Sequence, residues 1–190
     1  MKHKKLIRVF LVFDTSLILL WFCSPFKLDE DTNEYSLKNS ILIQAPAEKI
    51  FTYLGNSANA STWSSFVDHI TPLNPQQIPD GQLNSTRRCF RKADETGIQW
   101  DEDIVKFEAN KLRELSIYNM KNFPVSTGDL RTRQQYDTQP DGSVKLTFGL
   151  YKSADKTTWT DVIKMKYTGY IVAGIFKANI SNIKQEIEKQ

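Results

Sequence analysis

Ile98, Trp100, Glu102 and Ile104 recur at every second position of one segment, so their side chains share one face of a strand. Three of the four are apolar, which turns that face inward and carries Glu102 with it, leaving Asp101 and Asp103 outside. Desolvation favours the neutral form of a carboxyl group in an apolar interior. Such a group can bind a polar part of a ligand or act as an acid or base, so Glu102 is the one catalytic candidate. The structural alternative is that Glu102 pairs with an arginine. Arg87, Arg91, Arg131 and Arg133 lie on other strand-like segments and can supply it.

Aromatic residues form the second candidate constellation. Trp63, Phe66, Tyr118, Tyr136, Trp159 and Tyr167 can ring the mouth of a cavity, because Tyr and Trp combine an apolar body with a polar tip. Ordinary packing accounts for the same residues. Val144, Leu146, Phe148 and Leu150 alternate and face the interior. The candidate ligand contacts are therefore Trp63, Phe66, Trp100, Glu102, Tyr118, Tyr136, Phe148, Trp159 and Tyr167.

Other chemistries find no residues to carry them. The histidines are His3 and His69, with no Cys/His cluster, so no metal site is expected. Cys89 reads as a small buried hydrophobe, and nothing pairs it with Cys23. Gly142 and Gly149 stand alone, so no phosphate loop, dinucleotide fingerprint or cofactor is expected. The net charge is +3, but Lys2, Lys4, Lys5 and Arg8 against Asp14 account for all of it. The chain from residue 27 onward is neutral with interspersed charges, which argues against a nucleic-acid partner.

The elements that must position these residues follow from periodicity. Ile41 and Ile43 share a strand face. Pro46 sits at a helix start, and Ile50, Phe51 and Leu54 form the apolar face of that helix. A second short helix is expected near Trp63. Six strand-like segments then alternate with turns such as Asp94–Gly97, Ala109–Lys111 and Gln139–Gly142. Phe176, Ile180, Ile183 and Ile187 form one stripe of a long final helix, which must cover the sheet. The expected class is α+β, in the order β-α-α-β-β-β-β-β-β-α with about seven strands.

Residues 1–26 begin basic and then run apolar for roughly the 20 residues a bilayer helix needs. Asp14 interrupts the run, and Trp21, Phe22 and Pro25 crowd any signal cleavage site. The expectation is an uncleaved anchor, with a partner membrane and the main domain on the outer side of the cytoplasmic membrane. Secretion after cleavage is the alternative. Residues 27–36 read as a polar linker, and 37–190 as the main domain.

The series Ile41-x-Ile43-x-Ala45-Pro46-x-Glu48-x-Ile50-Phe51, followed by Trp63, resembles the opening of START-like (SRPBCC) proteins. That superfamily includes the polyketide cyclase/dehydrase-like proteins and the birch-pollen-allergen fold. Asp80-Gly81, Trp100-x-Glu102-x-Ile104 and Ile180-x-x-Ile183-Lys184-x-x-Ile187 continue the likeness in order, and the N-terminal apolar segment resembles a membrane-anchored bacterial subgroup. The resemblance implies a helix-grip fold, in which a curved antiparallel sheet wraps the C-terminal helix and leaves a cavity. It also implies a hydrophobic small-molecule partner such as a lipid or polyketide. Two alternatives stand beside this reading: a cyclase/dehydrase-type enzyme using Glu102, and an envelope interaction module with a filled core.

Overall fold

The computed structural model describes residues 20–125 and 127–189. Two strands open the chain, β1 (Lys27–Asp29) and β2 (Glu34–Ile43). The helices α1 (Ala47–Gly55) and α2 (Ala60–Trp63) follow, separated by a 3-10 turn. Six strands come next: β3 (His69–Pro72), β4 (Thr86–Phe90), β5 (Gln99–Glu108), β6 (Leu112–Lys121), β7 (Leu130–Thr138) and β8 (Val144–Ser153). The 30-residue helix α3 (Trp159–Glu188) ends the described chain. All eight strands form one antiparallel sheet in the order β1-β2-β8-β7-β6-β5-β4-β3. The sheet curves around α3, giving the expected α+β helix-grip architecture with one strand more than the sequence pattern supplied.

That extra strand occupies the expected linker. Residues 27–36 are polar, but β1 pairs with the start of β2, with Leu28 opposite Tyr35. Glu34 is buried because Arg131 and Arg133 both bind it, at 2.6 and 2.7 Å. The packed unit reaches back further still. Phe26 is buried and stacks with Tyr35, and Ser24 Oγ donates to the Lys166 carbonyl at 2.7 Å. Gly169 permits this, since a Cβ there would meet Phe26 Cβ at 3.2 Å. Residues 1–19 of the expected anchor lie outside the described residues. Among the described residues no helix is long and apolar enough to cross a membrane.

Helix α3 starts on a capping box. Thr158 Oγ1 accepts from the Asp161 amide, and the Asp161 carboxylate accepts from the Thr158 amide. Its expected stripe packs as the period requires: Ile180, Ile183 and Ile187 are buried against Ile43, Ile50, Phe51 and Leu54. Tyr136, Val144 and Leu146 complete this core. One end of the molecule is therefore solid, and the space between sheet and helix opens at the other.

Two bulges redirect side chains along β5 and β6. Gln99 faces Lys121 and Asp101 faces Tyr118, so Trp100 alone opposes both Asn119 and Met120. Asn119 takes a positive φ of 49° there. A second irregularity between Ile104 and Lys106 leaves Val105 exposed and brings Phe107 against Phe51, ring centroids 5.2 Å apart.

Candidate functional site

A cavity of about 380 Å³ lies between the concave face of β4–β8 and one side of α3. The strands contribute alternate residues to it: Arg87 and Cys89 on β4, Trp100 and Glu102 on β5, Leu115 and Ile117 on β6, Leu130, Thr132 and Gln134 on β7, and Phe148 and Leu150 on β8. Helix α3 adds Met165, Thr168, Val172, Phe176 and Asn179, spaced three or four residues apart, the repeat of one helical face. The segment after α2 supplies Phe66 and Val67. Phe123–Val125 and the exposed Ile171 and Arg91 stand on the same wall near solvent.

Glu102 points into this space, as the alternation in β5 requires, and both of its oxygens are engaged. Oε2 accepts from Arg87 Nε at 3.0 Å and Oε1 from Trp100 Nε1 at 2.9 Å. Arg87 and Glu102 are both buried and directly opposite in the β4–β5 register. Burial works against the Arg87 cation, but Glu102 outweighs it and holds the guanidinium above its usual range. Cys89 sits beside the pair. Burial first, and then the Glu102 carboxylate, push its thiol far above its ordinary range, so it is neutral and unreactive.

Behind Gln134, outside the cavity lining, lies a second buried cation. Arg113 donates to the Gly81 carbonyl at 3.2 Å, to Gln134 Oε1 at 3.1 Å and to the Phe51 carbonyl at 3.2 Å, and its guanidinium lies 4.0 Å from the Phe51 ring centre. It has no carboxylate partner among the described residues, and burial lowers its proton affinity. Gly81 makes this arrangement possible: it adopts a φ of +78° and packs on Gly55, where no Cβ would fit. Arg131 and Arg133 lie on the opposite, convex face of the sheet with Glu34 and Glu114. Arg133 touches the cavity lining, but its guanidinium is engaged on the convex face by Glu34 and Glu114.

Five of the nine sequence candidates come together on the cavity wall: Trp63, Phe66, Trp100, Glu102 and Phe148. The other four are elsewhere. Tyr118 occupies an outward position of β6 and donates to Asp103 Oδ1 at 2.8 Å. Burial and that carboxylate push its hydroxyl up to about 12. Tyr136 faces inward but lies in the solid core, packed on Phe51 and donating to Gln134 Oε1 at 2.9 Å. Trp159 is exposed at the start of α3 beside Trp21, and Tyr167 lies off the helical stripe that lines the cavity. Gln134 and Asn179 were not anticipated. The available signal was a polar residue on an otherwise apolar face, three positions from Phe176 for Asn179 and two from Tyr136 for Gln134.

Solved structures share this architecture at low identity. The Zhui aromatase/cyclase from Streptomyces aligns over 82% of this chain and 94% of its own, with TM-score 0.60 and 12% identity. Norcoclaurine synthase from Thalictrum flavum, solved with dopamine and hydroxybenzaldehyde, aligns over 83% and 88%, with TM-score 0.56 and 10% identity. A protein from Mesorhizobium loti aligns over 82% and 98%, with TM-score 0.59 and 14% identity. No curated protein matches the chain significantly. The family model described as polyketide cyclase/dehydrase and lipid transport matches residues 35–188, nearly all of the folded unit, and the chain belongs to that family.

Proposed function

We propose that this protein binds an apolar small molecule, lipid-like or polyketide-like, in the cavity between the sheet and α3. The observation that carries this is a largely apolar space of about 380 Å³, within the range of small-molecule sites, in a domain whose other end is solidly packed. The family description, which includes lipid transport, supports the same reading, as does the small aromatic content of the norcoclaurine synthase complex. Binding is preferred to cyclase/dehydrase chemistry because Glu102 is already held by Arg87 and Trp100, which suits a fixed counter-ion better than a free base. A filled-core interaction module does not match the open space.

Native mass spectrometry of the purified chain, with solvent extraction of what travels with it, tests the proposal. A co-purifying hydrophobic molecule that is absent from a cavity-filled variant is the expected result. A chain that is ligand-free and takes up no apolar probe would refute it.

We propose further that the N-terminal segment before Ser24, where the packed unit begins, tethers the domain to the outer side of the cytoplasmic membrane, on the strength of the basic start and the apolar run. Retention in the membrane pellet after alkaline carbonate washing is expected. A mature N-terminus beyond residue 20 would show cleavage instead.

A further inference from the structure

We infer that the ligand presents hydrogen-bond acceptors, a keto or carboxyl oxygen, to the inner wall of the cavity, and not donors. This rests on the reading of the cavity as a binding site.

Glu102 is the one carboxylate facing the cavity among the described residues, and each of its oxygens already accepts a hydrogen bond from the protein. Asn179 Oδ1 accepts from the Ser65 amide at 2.7 Å and the Ser65 hydroxyl at 2.9 Å. A backbone N–H can only donate, so the amide orientation is fixed and Nδ2 is the free atom. Gln134 follows the same logic. Its Oε1 accepts from Arg113, which has only donors, and from the Tyr136 hydroxyl, leaving Nε2 free. Trp63 Nε1 is buried without a partner among the described residues, and indole nitrogen only donates. Arg87 uses Nε alone, so its two Nη groups have no protein acceptor among the described residues.

Three of these groups belong to one part of the wall. Trp63 lies edge-on to Phe148 at 6.1 Å, Gln134 is opposite Phe148 in the β7–β8 register, and Asn179 is one turn from Phe176, which meets Phe148 at 6.0 Å. The hydroxyls of Thr127 and Thr132 can serve either way. Of these donors Trp63 Nε1 is fully buried, and a buried donor left unpaired is costly and calls for a partner. A ligand oxygen supplies one. A ligand donor finds only hydroxyl oxygens, such as those of Thr127, Thr132 and Thr168, and a carboxylate that already accepts from Arg87 and Trp100.

The test compares decane, 2-decanone and decylamine as displacers of the neutral dye N-phenyl-1-naphthylamine. The full chain is kept in solution by an amphipathic polymer, since detergent would compete for the cavity. The ketone is expected to displace at about tenfold lower concentration than the alkane, with the amine no better than the alkane. Gln134→Glu and Asn179→Asp keep the structural acceptor and exchange the free donor, so each should shrink the ratio by which the ketone outcompetes decane in that same variant. Trp63→Phe keeps the ring and should reduce that advantage as well. Equal displacement by ketone and alkane, or preference for the amine, overturns the inference while the cavity still binds. If the dye and all three probes fail to bind, the binding reading falls and this inference with it.

Discussion

Replacing Arg87 with methionine keeps most of the side-chain volume on the cavity wall and leaves Glu102 with only the Trp100 indole N–H. The pair is well shielded, with side-chain exposures of 4% and 9% and a separation of 3.0 Å. Coulomb attraction at that distance is about 5–6 kcal/mol at an effective dielectric of ~20. Breaking a buried pair from one side typically costs about 3–5 kcal/mol, because an uncompensated charge remains. Arg87→Met is expected to lose about that much, and Glu102→Leu a similar amount by stranding the guanidinium. The double variant removes both charges and leaves one buried indole N–H without an acceptor, which costs about 1–3 kcal/mol. It should therefore be more stable than either single variant, although simple addition gives about 6–10 kcal/mol of loss. Urea unfolding of the full chain, followed by far-ultraviolet circular dichroism, measures all four corners of the cycle. Additive losses, or a single-variant cost below about 1 kcal/mol, would show that the pair is hydrated through the cavity and that the shielding argument is wrong.

Val172→Trp projects an indole into the cavity from α3. It should abolish dye uptake while the melting temperature holds or rises, and retained uptake would place the binding volume elsewhere. The Cys89 thiol is expected to resist iodoacetamide at pH 8.5 while exposed Cys23 is labelled, with a second label appearing only in urea; equal labelling rates in the native state would contradict the buried, neutral thiol. Burial opposes ionisation of Glu34, but Arg133 and Arg131 outweigh it and hold the group below its ordinary 4.5; Asp101 is held below 3.8, chiefly by its hydrogen bond from Arg88. A lowered carboxylate contributes its full stabilisation above its unfolded pKa and loses it as pH falls through the folded one. The melting temperature should therefore drop below about pH 4.5, and the gap between the native protein and Glu34→Gln should narrow there. A gap unchanged from pH 7 to pH 3 would exclude the convex-face ion pairs as its source.

The family architecture was legible because it rests on periodicity. Alternation in β5 and β8 and the stripe on α3 are local signals, and each marks the concave face correctly, although Asp101, Tyr151 and Lys152 are buried on the other face of the sheet. Residue type alone does not place the aromatics, and register decides which of them reach the cavity. Tyr167 lies nine residues before Phe176, about half a turn away at ~100° per residue, so the helix alone puts it on the opposite face. Tyr118 follows inward Ile117 and so must face out. Tyr136 obeys its register, and only the tertiary packing on Phe51 reveals that it lies past the end of the cavity. The polar set was harder to read. The Arg87–Glu102 pair depends on how β4 and β5 slide against each other across the Arg91–Ile98 connection, which no local pattern specifies. Met120 reaches the wall only because Asn119 takes a positive φ and adds a residue opposite Trp100. Asn179 was readable as an exception, a polar side chain at a position where the helical stripe calls for an apolar one. Its carbonyl has a structural use in holding Ser65, but its amide has none. A side chain half committed to the fold and half unspent is what a binding site requires, since the fold then holds the donor in place before the ligand arrives.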